Sequence, residues 1–325
     1  MNYESGGNNV RILNGQDINL VFLHRNIQDS HFIMIGKKIK AYLIFTKFRL
    51  SALVVISALS GYLFNGGHDG WEIFLLLVGG SLVTAASNGS NQIWEKDLDI
   101  LMKRTASRPL PQKEMNVNEA YAVVFITLVI GMYMLYSINM YSALLGFSAF
   151  VSYVFIYTPM KRVSSWAVFV GAFPGAIPPM LGAIAASGEF SLVPGILFFV
   201  QFVWQFPHFW AIAWVAFDDY EAGGFSLLPS KTGRSKNSAF QIMIYSLILI
   251  PFSLMPWILG WTGIISLVLA TILGALFFLY SYKLFLSCDT KDARKLMFAS
   301  FLYLPIMQFL YVFDRTPEFI ETFIR

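Results

Sequence analysis

Amide and carboxylate side chains recur at helical spacing near the end of a long apolar stretch of the chain. They are Asn88, Asn91, Glu95 and Asp99. At 100° per residue, these four side chains fall within an arc of about 80° on a helix, whereas Asp97 points to nearly the opposite side. One helical face is therefore expected to present two carboxylates and two amides.

This face predicts a site for a divalent cation. Two carboxylates on one helical face repel each other unless something neutralises them. Mg²⁺ typically takes one or two carboxylates and completes its shell with water and substrate phosphate. Lys103, Arg104 and Arg108 follow directly and could neutralise further phosphate charge. The alternative interpretation is an ordinary charged loop between two membrane spans.

A second acidic segment, with Asp218, Asp219 and Glu221, ends a later apolar stretch. His208 lies eleven residues before Asp219. In a continuous helix these two side chains would share a face about 16 Å apart along the axis, and Asp218 would point elsewhere. A buried imidazole could contact a porphyrin, donate a proton or hydrogen-bond another helix. The residues alone favour the last of these roles for His208.

The composition predicts an all-α integral membrane protein. The 325 residues are 56% hydrophobic and 13% charged, and soluble proteins carry nearly twice that share of charge. A span takes about 20 apolar residues, and nine candidates are visible. They are Phe48–Phe64, Ile73–Ile93, Ala120–Ile138, Ser142–Tyr157, Trp166–Ala186, Val193–Phe217, Ala239–Leu259, Gly263–Phe285 and Leu296–Phe313. We expect a polar tail at 1–36, one transmembrane domain at 37–314 and a short outer tail at 315–325.

Lysine and arginine are confined to alternate connections between these spans. The connections at 65–72, 139–141, 187–192 and 260–262 contain neither residue. Because cytoplasmic loops carry the Lys/Arg excess, the N-terminus is predicted inside and the C-terminus outside. Both acidic segments then lie at the inner face. The same rule accounts for the basic pairs Lys47 with Arg49 and Lys161 with Arg162.

Other classes of protein and site are disfavoured. A net charge of +4 is weak support for nucleic-acid binding, so no nucleic-acid partner is expected. The one cysteine, Cys288, excludes an intrachain disulfide and a cysteine-based metal cluster. The first thirty residues have neither the apolar core of a signal peptide nor the composition of a mitochondrial transit peptide. A bacterial plasma membrane is therefore predicted in preference to a mitochondrial one.

Together these residues resemble the intramembrane UbiA-type prenyltransferases, over about Lys37 to Asp314. The first motif stands as Asn91, Glu95 and Asp99, followed by Lys103-Arg104-Thr105-Ala-Ser-Arg108-Pro109-Leu110. Markers similar to the haem-farnesylating branch are Trp204-Gln-Phe-Pro-His208-Phe, Asp219-Tyr-Glu-Ala-Gly223-Gly224-Phe, Tyr157-Thr-Pro-Met-Lys161-Arg162 and Gly175-Ala-Ile-Pro178-Pro179. Two positions depart from the superfamily pattern. Gly223 stands where a second Asp-xxx-Asp motif would end, and Phe48 stands where proline is expected.

The resemblance implies a Mg²⁺-dependent farnesyl transfer to haem b, with haem as a substrate rather than a redox cofactor. It implies that Mg²⁺ on Asn91, Glu95, Asp99 and Asp219 holds farnesyl diphosphate. It further implies that Lys47, Lys103, Arg104 and Arg108 neutralise the leaving diphosphate. His208 would lie near the haem, and Asn88, Arg49, Lys161 and Arg162 are further substrate-binding candidates. The implied partners are membrane lipid and haem A synthase or oxidase assembly proteins.

Two other functions compete with this hypothesis. A sister enzyme would prenylate a quinone precursor such as 4-hydroxybenzoate, and the residues around Trp204–His208 and Gly223–Gly224 argue against it. A transporter or channel for a lipid phosphate or a cation would usually place its polar residues near the membrane midplane. Here the acids cluster at one edge of the spans, which favours an enzyme.

Overall fold

The computed structural model describes residue 34 and residues 36–323, apart from the side chains of Arg49 and Phe323. Most of the polar tail at 1–36 and the last two residues therefore lie outside the described residues. The described part of the chain forms twelve helices. They are α1 Gly36–Phe45, α2 Phe48–Phe64, α3 Gly70–Asp99, α4 Val117–Ile138, α5 Met140–Met160, α6 Ala167–Ser187, α7 Leu192–Val215, α8 Phe217–Ala222, α9 Lys236–Ile258, α10 Ile264–Ser287, α11 Thr290–Phe313 and α12 Pro317–Phe323.

Eight of these helices, α3–α7 and α9–α11, are long and apolar enough to cross a membrane. A ninth span results if α1 and α2, which are bent by 53° at the break between them, cross together. The sequence placed the first span within α2 alone. With 17 residues, α2 is about 26 Å long at 1.5 Å per residue, which is short of a hydrocarbon core of about 30 Å.

Helix α3 is longer than its predicted span at both ends. At its start, Oδ1 of Asp69 accepts hydrogen bonds from the backbone N–H groups of Trp71 (2.7 Å) and Glu72 (2.9 Å). This cap satisfies amides that have no partner within the helix. At its other end the helix continues through the acidic face to Asp99. Three of the four predicted metal ligands, Asn91, Glu95 and Asp99, are therefore carried by one helix.

Helices α2 and α6 touch backbone to backbone. A Cβ atom added at Gly61 would lie 2.0 Å from the carbonyl oxygen of Pro179, and one at Gly182 would lie 1.8 Å from that of Ala58. Only glycine leaves room for this approach, as is common where membrane helices pack closely. The contact fixes α2, and with it the residues just before it, against the centre of the bundle.

Helix α6 stays continuous although it contains three prolines. Pro179 has no N–H to donate to the carbonyl of Gly175, one turn earlier. In the structure that carbonyl accepts a hydrogen bond of 2.7 Å from the side chain of Gln201 on α7. A neighbouring helix thus supplies the missing donor, which explains why proline is tolerated at membrane depth.

The connections between helices meet in two separate groups. The side chains of Asn65 and Asn139 donate to the carbonyls of Ala183 and Ile184 at 2.9 and 3.1 Å. At the other end, the amide of Ser226 donates to the carbonyl of Lys161 at 3.4 Å. We call this second group, formed by residues 100–116, 161–166, 216–235 and 288–289, the basic end. The alternation of charged and lysine-free connections in the sequence thus corresponds to two ends of one bundle.

Candidate active site

The acidic face of α3 is buried at the basic end of the bundle. Asn88, Asn91, Glu95 and Asp99 are between 0% and 6% exposed, whereas Asp97 is exposed on the other side of the helix. Burying two carboxylates is costly unless each is paired and hydrogen-bonded. Their partners therefore decide what this face can do.

Each buried carboxylate is neutralised by a cation from a different connection. Nη1 of Arg108 donates to both carboxylate oxygens of Asp99 at 2.7 Å. Nζ of Lys161, which follows α5, forms an ion pair with Oε1 of Glu95. The Lys161 ammonium also lies 5.1 Å from the ring centre of Tyr157. The acidic face is thus electrically balanced by residues that are distant from it in sequence.

The amides of this face connect α3 to its neighbours through their nitrogen atoms. Nδ2 of Asn91 donates to Oγ1 of Thr158 at 3.4 Å, and Nδ2 of Asn88 donates to the carbonyl of Thr46 at 3.4 Å. Gln92 Nε2 donates to the carbonyl of Phe45 at 2.6 Å. An amide oxygen is the atom that a hard cation would bind, so these hydrogen bonds orient the two asparagines without using their ligating atoms.

Lys47 lies at the break between α1 and α2. Its φ of 48° is in the left-handed region that residues other than glycine rarely adopt. Its ammonium interacts electrostatically with Glu95 and with the cations of Arg104, Arg108 and Lys161. Four cations therefore interact electrostatically with three carboxylates, those of Glu95, Asp99 and Asp219. Such a surplus of positive charge is suited to an anion with several negative charges.

The second acidic segment departs from its predicted geometry. Helix α7 ends at Val215, and Ala216 (φ −95°) separates it from α8. The continuous helix that was expected to relate His208 to Asp219 is therefore interrupted, and the phase of 100° per residue does not extend across Ala216. Asp218 is exposed and forms a two-point ion pair with Arg234 at 3.1 and 3.2 Å.

Asp219 lies beside the first acidic segment but does not complete a carboxylate cluster. It interacts electrostatically with Arg104, whose guanidinium lies 4.9 Å from the ring centre of Tyr220. Among the described residues, no three His, Cys, Asp or Glu side chains lie together closely enough to hold a metal ion. The candidate metal ligands Asn91, Glu95 and Asp99 thus share the buried face of α3, and Asp219 belongs to a separate helix.

Three other predicted positions remain, and the side chain of one of them is not described. Lys103 does not continue the helical face, because α3 ends at Asp99 and the chain turns there, which leaves Lys103 exposed. Arg162 is exposed rather than turned inward like Lys161. The side chain of Arg49 lies outside the described residues.

His208 is buried between α7 and α11. Its Nδ1 lies 2.7 Å from Oγ of Ser300, and its ring stacks on Trp204 with centres 4.2 Å apart. The indole N–H of Trp204 donates to the carbonyl of Ser300 at 3.2 Å. The contact between His208 and Ser300 is an interhelical hydrogen bond, the role that the sequence without the resemblance favours for His208. It joins α7 to α11, and the motif around His208 does not predict that pairing.

A cavity of about 370 Å³ opens beside the acidic face, between α3 and the end of α5. Glu95 and Thr158 line its buried part, and Trp94, Arg162 and Val163 line its exposed part. Sequence reasoning missed Trp94 and Thr158. An exposed tryptophan near a membrane surface is common, so only the cavity distinguishes Trp94 from other aromatic residues.

The acidic face fits a magnesium ion. Two carboxylates and one amide on a single buried helical face match the small number of oxygen ligands that Mg²⁺ takes from protein. The remaining positions of its shell would be left for water and phosphate oxygens. The surrounding cations are suited to an anionic ligand bound beside such an ion.

Comparison with known proteins gives a consistent picture. Residues 54–304 match the model of the UbiA prenyltransferase family. The chain is 47% identical over 283 residues to a protein of Cytophaga hutchinsonii named Protoheme IX farnesyltransferase, covering 86% of this chain and 99% of that protein. A protein of Christiangramia forsetii with the same name is 46% identical over 278 residues, covering 83% of this chain and 91% of that protein.

Solved structures share the fold. A digeranylgeranylglyceryl phosphate synthase has a TM-score of 0.72 at 21% identity, covering 85% of this chain and 98% of that chain. A UbiA homologue from Archaeoglobus fulgidus bound to DMAPP and Mg²⁺ has a TM-score of 0.61 at 16% identity, covering 83% of this chain and 98% of that chain. At these identities the likeness concerns the helical architecture.

Proposed function

This chain belongs to the UbiA prenyltransferase family, and we infer from that membership that it transfers the farnesyl group of farnesyl diphosphate to a vinyl group of haem b, which gives haem O and diphosphate. The observation that carries the choice of substrates is the 47% identity, over nearly the whole length of both chains, to a relative named for this reaction. The buried, cation-surrounded acidic face supports the same chemistry.

Asn91, Glu95 and Asp99 would hold Mg²⁺ in this proposal, with Asp219 flanking. The Archaeoglobus fulgidus homologue with bound DMAPP and Mg²⁺ supports the assignment of the ion. When bound, Mg²⁺ supplies charge neutralisation for a departing diphosphate. Arg108 and Lys161 now pair with these same carboxylates. With the ion bound to these carboxylates, Arg108 and Lys161 would be available to bind the diphosphate.

The bond changes of the proposed reaction place demands that the described residues meet. The bond between farnesyl C1 and oxygen breaks, and its electron pair leaves with the diphosphate. Lys47, Arg104, Arg108 and Lys161 would stabilise that negative charge. The haem vinyl group forms the new carbon–carbon bond, and water adds to the resulting cation and releases a proton. The product then carries a hydroxyethylfarnesyl group.

The first test is the identity of the product. The full-length protein, incubated with haem b, farnesyl diphosphate and Mg²⁺, is expected to yield a haem whose mass has increased by one farnesyl group and one water. Mass analysis of the extracted haem checks this. In a second incubation, 4-hydroxybenzoate is added as a competing acceptor. Prenylation of 4-hydroxybenzoate instead of haem would contradict the proposal.

We further propose that residues 37–314 form one domain that is embedded in a bacterial plasma membrane. The basic end and the N-terminus would lie in the cytoplasm, and the C-terminus would lie outside. Membrane lipid would surround this domain. The arrangement of lysine and arginine supports the orientation. Haem A synthase or oxidase assembly proteins would be the partners that receive the product.

The native cysteine offers a test of this orientation. Cys288 is half-buried between α10 and α11, at the basic end. A membrane-impermeant thiol reagent is therefore expected to label it in inside-out vesicles and to spare it in right-side-out vesicles. As a matched control, Glu189→Cys in a Cys288→Ser background moves the thiol to the exposed connection at the opposite end and should reverse the pattern. Labelling of Cys288 in right-side-out vesicles alone would refute the orientation.

A further inference from the structure

The cavity beside the acidic face differs in character from one end to the other. Glu95 and Thr158 in its buried part are 6% and 3% exposed, and Thr158 accepts the hydrogen bond from Asn91. Trp94 and Val163 at its mouth are 55% and 84% exposed. Its volume of about 370 Å³ is within the usual range for small-molecule sites. The cavity thus leads from an exposed apolar mouth to the candidate diphosphate site.

Arg162 is a cation at this mouth that the acidic face does not use. Its neighbour Lys161 is 7% exposed and pairs with Glu95, while Asp99 is paired with Arg108. Arg162 itself is exposed and lines the cavity. A guanidinium in this position can bind a carboxylate through two hydrogen bonds.

The neighbours of Arg162 at the mouth favour a flat apolar ligand. Trp94 presents a large aromatic surface, which prefers to stack on another ring system. Val163 extends the apolar surface next to the guanidinium, and Leu98 lines the cavity further along α3. A ligand that combines a broad ring with an acid group at one edge complements all of these residues.

Resting on the function proposed above, we propose that the cavity between α3 and α5 is the acceptor site, in which Arg162 binds a propionate of haem and Trp94 packs against the macrocycle. In haem b the two propionates share one edge and the two vinyl groups lie at the opposite edge. A propionate held at the mouth therefore directs the vinyl edge toward Glu95. Arg162 is then a positioning residue, and its charge selects the orientation in which transfer is possible.

Haem b and its dimethyl ester separate this role from a general effect on structure. The ester keeps the ring and the vinyl groups but has no charged propionate. In absorption titrations of the full-length protein, Arg162→Gln is expected to raise the Kd for haem b by roughly three- to tenfold. The Kd for the ester should stay within about twofold of the wild-type value. Arg162→Lys should restore part of the haem b affinity, and Trp94→Leu should weaken both ligands alike.

A matched control is Arg294→Gln, which removes an exposed arginine near the start of α11 and should change neither affinity. Equal changes in both Kd values for Arg162→Gln, or no change in either, would overturn the assignment. So would a raised KM for farnesyl diphosphate with normal haem binding, because Arg162 would then serve the diphosphate. A wild-type protein that makes no farnesylated haem would overturn the proposed function itself. If the wild-type protein makes the farnesylated haem but binds the dimethyl ester as tightly as haem b, only the role of Arg162 would be overturned.

Discussion

Asp99→Asn is expected to lower the rate of farnesyl transfer by about a hundred- to a thousandfold, the size of effect seen when one preorganised charge-stabilising group is lost. The substitution keeps the size of a side chain that is 0% exposed and removes its charge. A neutral amide is a weaker ligand for Mg²⁺ than a carboxylate. The measurement is the rate of haem product formation and of Mg²⁺-dependent diphosphate release.

Two further variants make this result specific. Asp97→Asn makes the same chemical change on the exposed side of α3 and should leave the rate within about twofold. Asp99→Asn also leaves the guanidinium of Arg108 without its buried partner, which can destabilise the protein by about 3–5 kcal/mol. Adding Arg108→Gln removes that orphaned charge and should recover stability but not activity. If Asp99→Asn alone retained Mg²⁺-dependent diphosphate release, the site assignment would be wrong.

Gly182→Ala is expected to destabilise the folded protein by about 3 kcal/mol or more, at the upper end of the range for overpacked cores. The added Cβ would lie 1.8 Å from the carbonyl oxygen of Ala58, and that oxygen belongs to the backbone of α2. No rotation of a side chain can relieve this overlap, so α2 and α6 must separate. The folded yield and the thermal midpoint of the purified protein measure the loss.

Gly195→Ala is the matched comparison for Gly182→Ala. Gly195 also lies inside a membrane helix, but a Cβ there would meet nothing within 4 Å. Alanine favours helix over glycine by about 1 kcal/mol, so this variant should be neutral or slightly stabilised. Equal destabilisation of both variants would mean that the α2–α6 contact is not the cause.

Much of this architecture could be predicted because it depends on local periodicity. The helical phase of the sequence alone predicts Asn91, Glu95 and Asp99 on one side of α3 and Asp97 on the other, and the structure buries the first three and exposes Asp97. The distribution of lysine and arginine divided the connections into two groups that the structure places at two ends. The family named from the motifs is confirmed by the match over residues 54–304.

Contacts between distant segments could not be predicted from spacing. Glu95 and Lys161 are 66 positions apart, and their pairing depends on how α3 packs against the end of α5. The interruption at Ala216 changes the helical phase between His208 and Asp219. It could not be predicted, because the apolar pattern runs across this position without a proline or glycine. The end of α3 at Asp99 is likewise not marked by a proline or glycine, so the spacing of four wrongly placed Lys103 on the acidic face.

The ion pairs of Glu95 with Lys161 and of Asp99 with Arg108 also bear on how the protein is made. Many small metalloproteins stay unfolded until their ion arrives, because the free energy of metal binding supplies the free energy of folding. Here each carboxylate has its own counterion from the same chain, with side-chain exposures of 7% for Glu95 and 0% for Asp99. We therefore expect that the bundle can insert and assemble in a newly made chain before it binds any metal or ligand.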